Sequence, residues 1–539
     1  MSTLPITIST LSPVHIGCDE VYEPSNFVIH DGLLHALDVA DLAQELTDAE
    51  CRQLATLSDG REPIGALQRF FRDRAERFSA LARHQVEVAP DIVVNYEQNA
   101  GKPAQRGSNG EAVYNVFPIS RTSYRPLDNT PYLPGSSLKG SIRTAWLNKC
   151  NHGADLSDAE KRDRKSASRL QERLLGYTAG KFENDPFRHL GLADAHPEDD
   201  TVAPPTRILY AISKKKRLPR DGERAPQELK VFLETLPDSL PAAFHSEIRL
   251  SGSIDWKSLC DACNGFYLPQ LEAELAHDVL GQLIDPDWKR LIGGLLGDEL
   301  GELVAARQGF LLRVGRHSGA ESVTLQGLRN IKILGPRVDG KQTFDFRPLT
   351  TEKRFASLTK AGTSGLLPFG WIWVDACDDA HRHLSDNVRQ KLATRSEPLR
   401  QAHQDRLQNL EAKQLERTAT VRQAEAQRQA ILSAARAAAA AAEELQSKLA
   451  TMTSNMRRIE EFKTACANRA EQLGANRERQ NADFHSRARK LAQDALDGTD
   501  WTADEKRGAA DAIAEWLPKV VEKIDKDALK KLKLSALRG

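Results

Sequence analysis

The chain has 539 residues, enough for about two to four domains with separate hydrophobic cores. Its 75 Lys and Arg residues balance 75 Asp and Glu residues, so global charge gives no support for a nucleic-acid partner and any such site must be a local patch. The seven cysteines are odd in number and irregularly spaced, which indicates reduced thiols. No apolar run approaches the roughly 20 residues that span a bilayer, and no signal-peptide pattern begins the chain. We therefore expect a cytoplasmic protein without a membrane partner.

Strand and helix patterns alternate through the first part of the chain. Residues 4–11 alternate apolar and hydroxyl side chains, which predicts a half-buried strand. Residues 27–29 form a second strand, and the dipeptide Asp31-Gly32 predicts a hairpin that returns over 33–37. We expect helices over 39–85, 138–149 and 157–175, an exposed loop over 98–112 and a strand over 207–213.

A short turn before the second of these helices combines small residues with two cations. Gly135, Ser136 and Ser137 have no bulky side chains, so their backbone N–H groups are expected to be accessible at a helix N-terminus. Lys139 and Arg143 are four residues apart and share a neighbouring helix face. The pattern predicts a site for a polyanion backbone. The alternative is a tight strand-to-helix turn with two solvated bases.

Further positive charge follows the strand at 207–213. Lys214, Lys215 and Lys216 form a basic run, which is typical of a solvated loop but which beside a strand also suits contact with an RNA backbone. In the next part of the chain, 230–236 and 244–251 read as two strands paired with each other. A helical block is expected over 268–307.

A second glycine-containing loop follows a buried strand at 309–314. Gly315, Arg316, His317 and Ser318 precede another glycine and carry two potentially cationic side chains. Glycine permits close approach of a ligand to the backbone, and cations neutralise phosphates. We predict that this loop contributes to RNA binding. A final strand is expected over 369–374.

The composition changes sharply near residue 378. No Gly or Pro occurs over 399–473, which as one helix would be about 110 Å long. Leu445, Leu449, Met452, Met456 and Ile459 are spaced by alternating steps of four and three, as in a coiled-coil seam. The sequence therefore predicts a coiled-coil arm over 378–480, followed by a helical tail over 481–539.

Two residue pairs could carry chemistry but have simpler interpretations. Cys260 and Cys263 form the only close cysteine pair, and a structural zinc site requires four ligands, so two ordinary thiols are favoured. His15 and His30 could act as acid and base on RNA if both lay at the scissile phosphate. A histidine beside a strand end is more often structural. We predict no catalytic residue, no metal and no cofactor.

Several segments in order resemble the RAMP superfamily, the RNA-binding proteins of CRISPR effector complexes. The order is similar to the subfamily that caps the type III-A effector, the Csm complex, and the resemblance covers about residues 1–377. The segments that carry it are 10–17 with Tyr22, Pro24 and 27–29; 134–143; 190–194; 233–236 with Phe244; and 309–319 closed by 368–371.

The resemblance implies an α+β fold of two ferredoxin-like (RRM-like) RAMP modules, followed by the coiled-coil arm and helical tail. The N-terminal RAMP domain is placed at 1–225 and the C-terminal RAMP-like domain at 226–377. It also implies a subunit that binds CRISPR RNA (crRNA) at its 3′ portion, caps the filament of backbone RAMP subunits and supports crRNA maturation. Target RNA, other type III effector subunits and a maturation nuclease are the implied partners.

The same resemblance implies that this subunit does not cut RNA. Backbone subunits of such complexes cleave target RNA with an aspartate in the first loop, and Ser25 occupies the corresponding place here. Two alternatives remain open from the sequence. One is a RAMP endoribonuclease that processes CRISPR precursor RNA with His15 or His30, and the other is a scaffold protein whose coiled coil is the main functional part.

Overall fold

The computed structural model describes residues 2–539 except 59–62, 107–111, 159, 161–165, 179, 198–202, 219–230, 253, 339, 379 and 475. The chain forms two compact units, Met1–Glu416 and Arg417–Gly539. The predicted domain boundary at 225/226 lies outside the described residues, and so do the side chains of Leu445 and Leu449 in the predicted coiled-coil seam.

All the strands that the structure describes lie in the first unit. They are β1 (Ser2–Thr10), β2 (Gly17–Tyr22), β3 (Phe27–His30), β4 (Leu33–Ala36), β5 (His84–Val88), β6 (Pro103–Arg106), β7 (Ala112–Tyr114), β8 (Ile119–Thr122), β9 (Gly191–Leu192), β10 (Arg207–Lys215), β11 (Phe232–Thr235), β12 (Leu240–Leu250), β13 (Gly309–Arg313), β14 (Ile331–Val338), β15 (Lys341–Arg347), β16 (Glu352–Ser357), β17 (Leu367–Pro368) and β18 (Trp371–Ala376).

Helices occur in both units. They are α1 (Val39–Glu45), α2 (Asp48–Ser58), α3 (Pro63–Arg72), α4 (Ala75–Ser79), α5 (Pro90–Asn99), α6 (Gly135–Asn151), α7 (Ser166–Leu175), α8 (Trp256–Leu275), α9 (Pro286–Gly297), α10 (Glu299–Ala305), α11 (Asp386–Thr451), α12 (Ser454–Leu473), α13 (Asp483–Asp497), α14 (Ala503–Val520), α15 (Lys526–Lys531) and α16 (Leu534–Arg538). The predicted α+β class is confirmed.

A five-stranded antiparallel sheet unites distant parts of the first unit. Its order is β13-β18-β1-β12-β9. The first strand is central, because Thr7 lies opposite both His245 in β12 and Asp375 in β18. The Thr7 hydroxyl also donates a 2.7 Å hydrogen bond to the Asp375 carboxylate. The N-terminal strand is therefore held by segments from beyond the predicted boundary at 225/226.

The second sheet has nine strands. Seven follow the order β2-β8-β11-β10-β5-β4-β3, and β16 and β17 extend from β10. The hairpin of β3 and β4 forms as predicted, because Asp31 and Gly32 both adopt positive φ, 48° and 77°. That conformation matches the twist of a two-residue hairpin turn.

One strand pairing differs from the prediction. The strands at 230–236 and 244–251 are not partners, because β11 pairs with β10 and β8 while β12 pairs with β1 and β9. The chain crosses between sheets after Leu236. The crossing is fixed by the Thr10 hydroxyl, which donates to the Pro237 carbonyl at 2.8 Å and accepts from the Leu240 N–H at 3.1 Å. Ser239 turns the backbone there with φ 61°.

The second unit is a helical bundle with its own core. Ile459 and Phe462 of α12 are buried together with Ala488 of α13 and Ile513 of α14. The predicted boundary at 480/481 therefore divides this core, because the apolar face of α12 packs with the tail helices rather than with a coiled-coil partner.

The long predicted helix is interrupted. The 66-residue α11 ends at Thr451, and Thr453 caps the start of α12, so the expected seam at 445–459 crosses a helix break. Val388, Leu392 and Leu410 of α11 are buried within the first unit. Residues 421–444 are exposed along their whole length. Among the described helices, none is long and apolar enough to cross a membrane.

Candidate nucleic-acid interface

The small-residue turn is the first turn of α6 rather than an open loop. The Gly135 N–H donates a 2.7 Å hydrogen bond to the Asp194 carboxylate. A Cβ at this position would lie 2.5 Å from the Leu192 carbonyl oxygen, so glycine is required by the close approach of β9. The expectation of an open amide at Gly135 was therefore wrong, because Asp194 already occupies it. Ser136 is exposed and Ser137 half-buried.

The two cations of α6 are engaged within the protein. The Lys139 ammonium donates a 2.6 Å hydrogen bond to the Leu190 carbonyl, and burial lowers the pKa of this lysine. The Arg143 guanidinium lies 2.9 Å from the Asp185 carboxylate and 5.0 Å from the centre of the Phe187 ring. Both side chains thus fasten α6 to the segment at 185–190. A phosphate bound beside α6 would therefore share Lys139 with the Leu190 carbonyl and Arg143 with the Asp185 carboxylate.

The second glycine loop is built by a close backbone approach at the end of β13. Gly315 adopts φ 77°, and a Cβ there would lie 2.2 Å from the His15 carbonyl oxygen. The same oxygen accepts a 2.8 Å hydrogen bond from the Arg316 N–H. Gly315 therefore fixes the loop 315–319 against the first loop of the chain.

Arg316 is the exposed cation of this loop. Its guanidinium donates a 3.3 Å hydrogen bond to the Ser120 hydroxyl, and it forms no ion pair with any residue that the structure describes. The neighbouring His317 is half-buried and turned back under the loop with φ 68°, 5.5 Å from the Phe369 ring. Burial, followed by the charges of Arg354 and Arg316, lowers the pKa of His317 to about 3. His317 is thus a neutral support, and Arg316 supplies the charge.

The structure brings the two glycine segments together. The Ser141 hydroxyl on α6 donates to the Arg313 carbonyl at 3.0 Å, directly before the second glycine loop. The Tyr267 hydroxyl of α8 donates to the Ser141 carbonyl at 3.0 Å. The buried Ser318 closes the loop by accepting from the Ser322 hydroxyl at 3.1 Å. We call residues 134–143 together with 313–319 the glycine-loop surface.

The basic run lies beside this surface at the end of β10. Lys214 donates to the Ala361 carbonyl at 2.9 Å, and Lys216 pairs with Glu321 at 2.6 Å. Lys215 lies opposite Glu352 in the ladder between β10 and β16. The three lysines are half-buried, with Lys214 and Lys215 at the end of β10 and Lys216 directly after it, so the run is not a solvated loop.

Sequence reasoning missed an aromatic and basic ribbon formed by β14 and β15. Phe344 pairs with Leu334 and Phe346 with Lys332, so these four side chains share one face. The two rings are 54% and 50% exposed, and the Lys332 ammonium lies 4.1 Å from the centre of the Phe344 ring. The Asp-Gly dipeptide at 339–340, between alternating apolar residues, was the available hairpin signal.

The residues considered for catalysis or metal binding are not assembled into a site. His15 is buried, its Nδ1 donates to the Glu234 carbonyl at 2.7 Å, and burial lowers its pKa. His30 lies 3.4 Å from Asp31 at the hairpin, and no described contact joins it to His15. Cys260 and Cys263 are buried in α8, where burial raises both thiol pKa values. In the described part of the chain, no group of three His, Cys, Asp or Glu side chains could hold a metal ion.

Comparison with known proteins supports the resemblance stated from the motifs. Residues 7–259 match the family model described as RAMP superfamily. A curated relative, the "CRISPR system Cms protein Csm5" of Methanocaldococcus jannaschii, is 25% identical over 154 residues. That match covers 27% of this chain and 30% of the relative, so the chain spans less than a third of the curated protein that it matches.

Two solved structures are also similar. One is from the cryo-EM structure of a Csm-crRNA-target RNA ternary complex in a type III-A CRISPR-Cas system, with 16% identity and TM-score 0.39 over 69% of this chain and 100% of that chain. The other is the crystal structure of T. onnurineus Csm5, with 15% identity and TM-score 0.39 over 68% and 99% of the two chains. The predicted resemblance is thus confirmed by the sequence matches: residues 7–259 carry the RAMP superfamily pattern, and part of the chain is related to a CRISPR Csm5 protein.

Proposed function

We propose that this protein is a non-catalytic crRNA-binding and assembly subunit of a type III-A CRISPR interference complex. In this proposal it caps the filament of backbone RAMP subunits at the crRNA 3′ end and supports crRNA maturation. The RAMP pattern over residues 7–259 and the similarity to a Csm5 protein support it. A cytoplasmic location agrees with the seven cysteines, all of which are free thiols.

One observation carries the RNA-binding part of the proposal. Arg316 is exposed on a loop whose backbone is fixed by Gly315 and His15, and it has no carboxylate partner among the described residues. A cation that is pre-positioned and uncompensated is suited to a phosphate, which it binds without first breaking an ion pair. Lys139, Arg143 and Lys216 lie nearby but have partners, so we assign them a supporting role.

The fold is consistent with a ferredoxin-like RAMP module. In the order β18-β1-β12-β9, with α6 between β1 and β9 and α8 after β12, the first sheet follows the 4-1-3-2 arrangement of a split βαβ module. Here β13 is added at the edge. We propose that the nine-stranded sheet contains the second module.

The exposed ribbon adds a base-stacking element to this proposal. Phe344 and Phe346 present their rings beside Lys332 on one face. Stacking of a base on an aromatic side chain contributes about 1–3 kcal/mol and tolerates any sequence. Bases held in this way, with phosphates on the glycine-loop surface, suit a subunit that binds RNA by its backbone.

The absence of RNA cleavage is also part of the proposal. Ser25, in the place of the aspartate expected in cleaving subunits, is exposed and offers a hydroxyl instead of a carboxylate. His15 is buried and neutral, so it lacks the access that a general acid or base requires. We therefore infer that target RNA meets the protein only within the assembled complex and that a separate nuclease matures the crRNA.

Titration of the full chain with a single-stranded RNA over a range of salt concentrations tests the proposal. Arg316→Ala is expected to weaken binding about five- to thirtyfold and to reduce the salt slope by about 0.7, the value for one phosphate contact on a single strand. The matched control is Arg290→Ala, which removes an exposed arginine paired with Asp287 on α9. Equal affinity and slope for Arg316→Ala and wild type would refute the assignment.

A further inference from the structure

A cavity of about 310 Å³ is lined by residues of α8 and by Arg313 and Glu321, which precede and follow the glycine loop 315–319 in the chain. Its size is at the lower end of the range of about 300–1,000 Å³ for small-molecule pockets. Its walls combine apolar side chains with an unusual concentration of charge. The charged residues are Lys216, Arg313, Arg329, Lys353, Glu274 and Glu321.

The charges that line this cavity do not balance. Glu274 accepts from Arg313 at 3.1 Å and from Lys353 at 2.6 Å, so one buried carboxylate serves two cations. Glu321 pairs with Lys216 at 2.6 Å. Among the residues that the structure describes, Arg329 donates only to the Glu321 backbone carbonyl, at 2.9 Å. Four cations therefore face two carboxylates, which leaves an excess of two positive charges in a partly buried space.

Hydrogen-bond donors in the cavity wall also lack acceptors. The Arg313 side chain is 2% exposed and its Nη2 has no hydrogen-bond partner among the residues that the structure describes. The Nε of Arg329 is likewise buried without a described partner. Buried donors of charged groups are costly to leave unsatisfied. Both atoms are closed to solvent, so they mark uncompensated positive charge beside the cavity rather than its contact surface.

The titration of neighbouring groups agrees with a positive potential. Burial, followed by the charge of Arg313, lowers the pKa of Lys353 to about 8 despite its contact with Glu274. Burial also lowers the pKa of Arg329. The charge of Arg313 thus contributes to the lowered pKa of Lys353, whereas burial lowers that of Arg329, and an anionic ligand would favour the charged form of both.

We propose that this cavity is a binding site for the phosphate group of a nucleotide. Arg329 and Lys216, which line the cavity, would carry the positive charge that binds the phosphate. The apolar walls formed by Phe266, Leu280 and Leu349 would hold the base or sugar. The ligand is either a free nucleotide or the terminal nucleotide of an RNA, which present the same chemistry.

The location of the cavity does not distinguish a free nucleotide from the terminal nucleotide of an RNA. Arg313 lies two residues before the glycine loop, and Arg329 and Leu349 lie just before and just after the ribbon of β14 and β15. The cavity is thus next to the proposed RNA surface and shares Arg313 and Lys216 with it, but it does not include Arg316. It stands on its own charge balance and does not depend on RNA binding by Arg316.

Isothermal titration of the full chain with adenosine 5′-monophosphate tests the proposal, with adenosine as the matched uncharged probe. The nucleotide is expected to bind and adenosine to bind at least tenfold more weakly. Arg329→Gln, which removes a cation with a single described hydrogen bond, is expected to weaken nucleotide binding about tenfold or more. Arg290→Ala, on an exposed face of α9, should leave it unchanged. Circular dichroism confirms that each variant is folded.

Competition then distinguishes the two sources. Displacement of the nucleotide by an RNA with a 3′-phosphate, and not by the same RNA with a 3′-hydroxyl, would identify an RNA end as the ligand. Failure of both RNAs to displace it would identify a free nucleotide. Equal binding of nucleotide and adenosine, no binding of either, or unchanged affinity in folded Arg329→Gln would overturn the proposal. Loss of RNA binding in Arg316→Ala with nucleotide binding intact would separate this site from the RNA surface.

Discussion

Substitution of Gly315 by alanine tests the geometry of the glycine-loop surface. At φ 77° an alanine costs about 1–2 kcal/mol from backbone strain alone. Its Cβ would also lie 2.2 Å from the His15 carbonyl oxygen, and a backbone atom cannot rotate away. Overpacking of this kind adds about 1–3 kcal/mol. We therefore expect Gly315→Ala to destabilise the first unit by about 2–5 kcal/mol.

A matched control exists in the β3–β4 hairpin. Gly32 has the same φ of 77°, but nothing lies within 4 Å of the position where its Cβ would be. Gly32→Ala should therefore cost only the strain of about 1–2 kcal/mol. The difference between the two variants isolates the close approach of the loop to His15.

Hydrogen exchange measured by mass spectrometry, with urea unfolding, is the assay. Gly315→Ala should lose protection in peptides covering 12–17 and 313–320 and should bind RNA several-fold more weakly, because Arg316 is displaced. Gly32→Ala should lose protection only around the hairpin. Equal destabilisation by the two substitutions, or wild-type RNA affinity in Gly315→Ala, would show that the contact with His15 does not position the loop.

Three further outcomes follow from the described contacts. Burial opposes ionisation of Glu321, but Lys216 and Thr350 outweigh it and lower its pKa from 4.5 to about 2. The ionised carboxylate stabilises the fold above its unfolded pKa of 4.5, and this stabilisation is lost as the pH falls toward 2. Between these two pH values, the urea midpoint of Glu321→Gln should therefore depend less on pH than that of the wild type. Glu274→Ala leaves two buried cations without their carboxylate and should cost about 3–5 kcal/mol in urea unfolding. Deletion of 421–438, about five turns of the exposed part of α11, should leave RNA affinity unchanged; a loss in anisotropy titrations would give this segment a role in binding.

Local sequence signals predicted the hairpin of β3 and β4 but not the paired strands β6 and β7, where an exposed loop was expected over 98–112. The Asp31-Gly32 hairpin forms because both residues accept the positive φ that a two-residue turn needs. Contacts between distant residues are not visible in local patterns. The Thr10 hydroxyl, for example, binds the Pro237 carbonyl, 227 residues further along the chain, and so helps to direct 237–240 into the other sheet. Two strands that are neighbours in sequence are predicted to form a hairpin. The local sequence pattern contains no information on pairing with a distant strand.

The sequence predicted the segments of the candidate site but not their contacts. The two glycine segments were recognised, and the structure joins them through Ser141 and Arg313. Their hydrogen-bond partners could not be predicted from the sequence, because they are distant along the chain. Asp194 accepts from the Gly135 N–H and lies 59 residues away, and Asp185 accepts from Arg143 and lies 42 residues away. The sequence therefore indicated the segments but not which cation is free of an acidic partner.

Purification of the full chain from its native host under mild conditions, followed by sequencing of the bound RNA, tests the central claim most directly. The account predicts CRISPR RNAs that share a 3′ region, recovered with other effector subunits, and a marked loss of this RNA from Arg316→Glu but not from Arg290→Glu. Recovery of no RNA, of unrelated RNA, or of equal crRNA with Arg316→Glu and wild type would contradict it.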